Sequence, residues 1–566
     1  MKQRSPTPIT RRRFLGESSA LFALAMAGRA PAIHLPGRKS YDIIIRNGTL
    51  FDGTLADPVE ADLAISGSRI AAIGRGLGSD ARVVIDARGF AVAPGFIDIH
   101  SHADGSMFDD PNVESVVREG ITTVIVGQDG SSRAPRRLNS SNADSSGDDG
   151  DDRAAYRTVG DVLSAVEQLP CAVNVASMVG LGTVRHVVVG DDDRPATPDE
   201  LARMTALVEA SLASGACGAS SGLEYTPGLF ASLEELIALC KPLAKRGLPY
   251  ATHMRNEDDR VLQSIDESIA VARGAGCPLE ISHLKTQGKR NWGKIDDAFR
   301  RIADARKAGI DVTFDRYPYI AYQTGLSNLF PKWSKDGGSD AFIARLSQAD
   351  LRPRLRKEVL AKVDLIGGWD NVMISGVANE DDKSAEGQRL ERYAKSLGRD
   401  PYDVAEGLLT RSRGGVGMVG FAMSEDNVAR FLSHPLCMVC SDGGAYATEG
   451  PARDGHPHPR ALGTFPRVLG KYVREDKVLT LQQAIHKMTG APAARLKLTD
   501  RGLLKRDNAA DVVVFDPDTV IDRATFAQPF QYPDGISVVI VNGQIALRHG
   551  ERTDTERRSG KAVRPG

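Results

Sequence analysis

Residues 93–102 read Ala93-Pro94-Gly95-Phe96-Ile97-Asp98-Ile99-His100-Ser101-His102. Pro-Gly followed by a short apolar run with a polar end predicts a buried strand, and on a strand residues i and i+2 share a side. The imidazoles of His100 and His102 then face one point, the arrangement in which two histidines hold one divalent ion. Outward from this stretch, other apolar runs end in the same way: Val126-Gly127, Ala251-Thr252-His253, Ile281-Ser282-His283, Thr313-Phe314-Asp315 and Val439-Cys440-Ser441-Asp442. Stretches of helical period such as Leu201 to Ala213 lie between them, and strands alternating with amphipathic helices predict a parallel α/β architecture. Polar residues at successive strand ends belong to the C-terminal face of a (β/α)8 TIM-like barrel. A doubly wound sheet is the competing arrangement, but no Gly-x-Gly-x-x-Gly follows a first strand and no Walker loop occurs, so nucleotide binding has no local support.

Before the barrel, Tyr41-Asp42-Ile43-Ile44-Ile45-Arg46-Asn47-Gly48 reads as a strand ending in an Asn-Gly turn. Near the other end, Asp511 to Phe515 and Ser537 to Leu547 repeat the pattern, with Asn542-Gly543 at the turn. Neither end has enough strands to be stable alone. Residues 40–93 plus 505–555 are therefore expected to form one small β-sandwich domain, with the catalytic barrel over 94–504. Leu138 to Asp152 is almost entirely Ser, Asn, Asp and Gly and reads as a solvated acidic loop. Over 330–423 the alternation gives way to a helical, charge-rich stretch, expected as an insertion beside the active site.

The N-terminus carries Thr10-Arg11-Arg12-Arg13-Phe14-Leu15, an apolar run from Ala20 to Ala27, and Ala30-Pro31-Ala32 as a small-x-small cleavage site. Residues 1–33 are thus expected to be a bacterial signal peptide of the twin-arginine type, engaging the twin-arginine export machinery and sending a folded chain to the periplasm or beyond. The apolar run is too short to be a stable membrane anchor. Across 566 residues, 41% hydrophobic and 26% charged content excludes disorder, collagen-like repeats and a polytopic membrane protein. Lys+Arg of 72 against Asp+Glu of 73 leaves no global basic field for nucleic acid. Six cysteines are too few for a disulfide scaffold, and Cys437 and Cys440 point to opposite faces of a strand.

His253, His283 and Asp442 each end a strand, and with His100 and His102 they make four histidines and a carboxylate on one barrel face, a hydrolytic metal site. The chain resembles the amidohydrolase superfamily and, within it, the N-acyl-D-amino-acid deacylase (D-aminoacylase) branch. The resemblance rests on the stretch Pro94 to His102, Gly120-Ile121-Thr122-Thr123, Ser221-Gly222-Leu223-Glu224-Tyr225-Thr226-Pro227-Gly228, Thr252-His253-Met254-Arg255, Ser282-His283-Leu284-Lys285, Asp315-Arg316-Tyr317-Pro318-Tyr319 and Ser441-Asp442-Gly443. It implies a (β/α)8 barrel beside a small β-sandwich, zinc as cofactor with one or two divalent ions, and amide hydrolysis. It also implies a tighter zinc on His253 and His283 and a second position among His100, His102 and Asp442. Where that branch has Asn-Cys-Gly with the cysteine on zinc, this chain reads Gly127-Gln128-Asp129-Gly130. Asp129 either substitutes a harder carboxylate for the thiolate, bridging two ions or weakening the zinc preference, or lies in a plain turn.

Zinc lowers the pKa of bound water and polarises a carbonyl, and Asp442 is expected to handle the proton unless it is purely a ligand. The free carboxylate of an N-acyl amino acid must be gripped. Lys285 and Tyr317 match substrate contacts of the resembled branch, and Arg255, two residues after His253, is a further candidate. The loop His456-Pro457-His458-Pro459-Arg460 follows the Asp442 strand and is placed to reach the pocket. The expected reaction is deacylation of a small-molecule N-acyl-D-amino acid. The alternatives are dipeptide or cyclic-amide hydrolysis on the same site or, outside enzymes, a binding barrel that has lost catalysis, whose mark would be missing ligands.

Overall fold

The computed structural model describes residues 41–136, 156–553 and 558–566. The stretch read as a signal peptide and the acidic loop over 138–152 lie outside the described residues. Eight short strands carry the catalytic half: β1 (Phe96–Asp98), β2 (Ile121–Val126), β3 (Asn174–Ser177), β4 (Ala219–Gly222), β5 (Tyr250–His253), β6 (Leu279–Ile281), β7 (Val312–Arg316) and β8 (Cys437–Val439). Successive strands pair in parallel. β3 continues into Val179–Gly180, which pairs with β4. The ring closes where Asp442 N donates to His100 O and His102 N donates to Gly443 O, both at 2.9 Å. Every residue of β2 is buried, Thr122 and Thr123 included, as a strand covered on both faces requires, so its sequence does not alternate between apolar and exposed polar residues.

Helices cover the barrel with an apolar face inward. Pro198–Ala213 begins with a reciprocal cap, Thr197 Oγ1 accepting from Glu200 N and Glu200 Oε2 accepting from Thr197 N, and buries Met204, Val208 and Leu212. Among the described residues no helix is long and apolar enough to cross a membrane.

Both chain ends contribute to one nine-stranded sheet, joined where Ala91–Pro94 runs antiparallel to Val512–Phe515. Its two ends share a core of Ile43, Leu63 and Ile85 with Val512, Val514 and Ile540. The β domain is therefore a continuous ladder wrapped around one core. The two Asn-Gly pairs behave differently. Asn542-Gly543 turns the chain, and a Cβ on Gly543 would meet Gly67 O at 1.9 Å. Asn47-Gly48, expected as a turn, makes a bulge inside the strand Tyr41–Leu50, with the register shifting between Ile45 and Gly48.

Between β7 and β8 lie helices Gly338–Leu346, Arg352–Ile366, Leu390–Ser396 and Pro401–Arg411 with a three-stranded antiparallel sheet of Ala321–Gly325, Val372–Val377 and Val416–Phe421. The strands escape sequence reading because Ser375, Gly376, Gly417 and Gly420 interrupt their apolar pattern. The inserted body starts nearer 321 than 330. Its Tyr322, Leu326, Val359 and Met418 share a core with Ile97, Ile99 and Tyr317 of the barrel, so it sits on the catalytic end.

Candidate active site

The strand ends bend sharply to bring their side chains together. Gly127 (φ 73°) permits the turn after β2, since a Cβ there would come within 2.3 Å of Met178 O. Asp129 (φ 53°), His283 (φ 36°) and Asp442 (φ 50°) then all adopt the left-handed region that side chains disfavour. Three such residues at one barrel mouth mark a constellation held against local preference.

Asp129 stands at its centre. Its Oδ1 lies 3.4 Å from His100 Nε2 and 3.5 Å from His283 Nε2, and its Oδ2 lies 3.5 Å from His102 Nε2 and 3.6 Å from His253 Nδ1. Asp442 Oδ1 is 3.2 Å from His102 Nε2 and 3.6 Å from His100 Nε2, and His253 Nδ1 is 3.0 Å from His283 Nε2. Two nitrogens bound to one tetrahedral zinc at ~2.05 Å would lie about 3.4 Å apart, so these spacings are those of ligands sharing an ion. Both ring nitrogens of His100, together with Asp129 Oδ1, are buried without a hydrogen-bond partner. The donor set of imidazoles and carboxylates fits zinc or a harder divalent ion.

The electrostatics agree. Burial works against a charged His102 and a charged His253, yet neighbouring carboxylates, Asp129 and Asp442 for the first, Glu257, Asp129 and Glu224 for the second, push both up to about 10. Asp129 and Asp442 are held well below the usual carboxylate range despite burial, Asp129 chiefly by His100 and His283 and Asp442 chiefly by Arg460. A field that retains protons on two histidines also retains a divalent cation. The His102 side chain is 37% exposed against 0, 5 and 1% for His100, His253 and His283, so the site opens on the His102 side.

Lys285 is placed differently from a free grip on substrate. Its Nζ is buried, 2.7 and 2.8 Å from Glu257 Oε1 and Oε2 and 2.7 Å from His283 Nδ1. Burial disfavours the ammonium, but Glu257 raises its pKa. Lys285 and Glu257 together orient the His283 ring. Arg255 is turned away from the site: it pairs with Glu267 at 3.0 Å and donates to the carbonyls of Leu229 and Ala231, so the expected substrate contact gives way to a structural clamp. Tyr317 is fully buried with its hydroxyl unpartnered, and the Arg460 guanidinium carbon lies 4.7 Å from its ring centroid.

Sequence reading misses Glu257 and the role of Arg460. Arg460 Nη1 pairs with Asp442 Oδ2 at 2.5 Å, leaving Oδ1 to face the histidines. The loop before it is pinned by His458, whose Nδ1 accepts from Arg460 N at 3.0 Å and whose Nε2 lies 3.0 Å from the Ala321 carbonyl. Asp98 accepts from Ser441 N at 2.8 Å and bonds the Ser441 hydroxyl, tying β1 to the end of β8; burial pushes its carboxyl up to about 7.

Residues 83–324 and 450–547 match the amidohydrolase family. The N-acyl-D-aspartate deacylase of Alcaligenes xylosoxydans xylosoxydans is 38% identical over 528 residues, covering 93% of this chain and 95% of that protein. The D-aminoacylase of the same organism is 36% identical over 505 residues, covering 89% and 94%. The crystal structure of N-acyl-D-glutamate deacylase from Bordetella bronchiseptica, complexed with zinc and a phosphonate mimic of the tetrahedral intermediate, superposes with a TM-score of 0.78 at 34% identity, covering 93% of this chain and 99% of that one. By its barrel, its cluster of histidines and carboxylates and its likeness along nearly the whole described length, the chain belongs to the amidohydrolase family, among the D-aminoacylases and N-acyl-D-amino-acid deacylases.

Proposed function

We propose that this protein hydrolyses N-acyl-D-amino acids to the free D-amino acid and a carboxylate, using divalent metal held by His100, His102, Asp129, His253, His283 and Asp442. The observation that carries the reading is Asp129, each of whose oxygens lies at ligand spacing between two histidines. Zinc bound there, as one ion or two, would supply a water acidified toward neutrality and a polarised scissile carbonyl.

The remaining work falls to side chains. Arg460 holds Asp442 Oδ2, so Oδ1 is the atom that accepts the proton of the attacking water and returns it to the departing nitrogen. The unpartnered Tyr317 hydroxyl donates to the substrate carboxylate, within the positive field of Arg460 and of Lys285, whose Nζ is 5.8 Å from the tyrosine ring centroid. D selectivity is supported by the relatives, which are named for N-acyl-D substrates. Paired N-acetyl-D- and N-acetyl-L-amino acids test it: release from the D series only is expected, and equal or preferred cleavage of the L series contradicts the assignment.

The Arg11-Arg12-x-Phe14-Leu15 stretch supports export of the folded, metal-loaded chain. Cell fractionation reads this directly. Changing Arg11→Lys with Arg12→Lys is expected to trap the protein in the cytoplasm, and unchanged export would remove the twin-arginine route.

A further inference from the structure

A neutral histidine that binds metal through one ring nitrogen carries its proton on the other, and a buried N–H needs an acceptor. For His283 that other nitrogen, Nδ1, meets Lys285 at 2.7 Å and Glu257 at 3.1 Å. His100 presents Nε2 to Asp129 and Asp442, while its Nδ1 is buried without a hydrogen-bond partner. The carboxylate facing that nitrogen is Asp315 of β7, with Oδ1 at 3.8 Å.

Asp315 also grips the turn that carries His283. The same Oδ1 accepts from His283 N at 2.7 Å, and the Asp315 carbonyl accepts from Leu284 N at 3.0 Å. These two bonds hold the chain where His283 takes its left-handed conformation (φ 36°), which a side chain disfavours. One carboxylate oxygen therefore stands against the ring of the first histidine after β1 and the backbone of the histidine after β6.

The support for Asp315 lies deeper in the barrel. Its carboxyl is hydrogen-bonded to Glu280 of β6, whose Oε2 accepts from Thr313 Oγ1 and, at 3.2 Å, from Arg495 Nε. Arg495 ends the helix Gly490–Arg495; it donates to the Leu279 carbonyl and pairs with Asp311 Oδ2 at 2.8 Å, where β6 and β7 begin. Arg495, Glu280 and Asp315 are all buried. A polar column thus runs from the strand starts to the metal site, and burying it is costly unless its members are partnered. We infer that Asp315 is a positioning residue of the metal centre, its Oδ1 fixing the His100 ring and the His283 backbone together while Glu280 and Arg495 fix Asp315. The inference rests on the divalent metal site proposed above and deepens it.

Zinc affinity of the full chain should be measured by chelator competition, with the visible spectrum of the cobalt-loaded protein as the reporter of ligand geometry. Asp315→Ala is expected to weaken metal binding about 10- to 100-fold, the range for removing the group behind a ligating histidine, and to shift the cobalt spectrum. Asp315→Asn keeps an oxygen where Oδ1 stands and offers an N–H to Glu280, so it should retain most of the affinity and the parent spectrum. A crystal structure of the zinc-loaded chain tests the contact without any substitution: His100 Nδ1 and Asp315 Oδ1 are expected at hydrogen-bond distance, below about 3.2 Å. Parent affinity and spectrum in Asp315→Ala, an asparagine variant as weak as the alanine one, or a His100 Nδ1 bonded elsewhere in the zinc-loaded structure overturns the inference while leaving the metal-dependent reading standing. A parent chain that binds no divalent metal overturns both.

Discussion

Asp129→Ala is expected to yield folded protein that retains less than half of the parent's metal and has kcat/KM lowered about 10³-fold, the scale of several kcal/mol of lost transition-state stabilisation. Among the described residues, Asp129 is the one carboxylate within 3.6 Å of a ring nitrogen of all four site histidines. Without it the imidazoles face one another across a gap, and His102 and His253 lose an anion that favours positive charge beside them. Elemental analysis of the purified variant checks this, and full metal occupancy would show that Asp129 only shapes a turn. Asp129→Cys is the informative companion, because it installs the thiolate that the resembled branch carries at this point. A soft single-atom donor in place of two hard oxygens should shift metal preference from cobalt or manganese toward zinc and cadmium.

Asp442→Asn is expected to lower kcat by about 10² to 10⁴-fold, the usual range for a general acid–base group, with a smaller effect on metal content. Size is preserved, but the proton acceptor at Oδ1 is gone. The change also removes the carboxylate partner of the buried Arg460, so Tm should fall, because breaking a buried pair costs about 3–5 kcal/mol when one charge is left uncompensated. Adding Arg460→Met separates the two effects. The double variant should recover Tm and stay inactive; recovery of kcat would make Asp442 a structural residue.

Much of this site is legible in the chain because strands place it. The His100-x-His102 pair follows from period-2 geometry, and the histidines at the ends of β5 and β6 and the aspartate after β8 follow from barrel order; Asp129 is legible only as the residue standing where the resembled branch has its cysteine, with a plain turn as the other reading. The same logic fails one step further on. Reading Arg255 beside His253 assumes that the strand continues, but β5 stops at His253 and the chain turns Arg255 toward Glu267. His283 has a positive φ, so the strand relation to Lys285 is also broken, and Lys285 folds back onto Glu257. Glu257 itself is hidden in Glu257-Asp258-Asp259, which reads as a solvated acidic run although Glu257 and Asp258 are buried. Arg460 comes 18 positions after Asp442, across a loop in which no local pattern fixes direction. In the β domain, composition alone does not distinguish the Asn-Gly that turns from the one that bulges; pairing on both sides of Tyr41–Leu50 does.

The most direct test of metal-dependent deacylation is a chelation and reconstitution series on the purified chain, following bound metal and hydrolysis of one N-acetyl-D-amino acid in the same samples. Activity should fall in step with metal and return when zinc is added back, saturating at one or two ions per chain. Full activity in a preparation stripped of divalent metal would contradict the account.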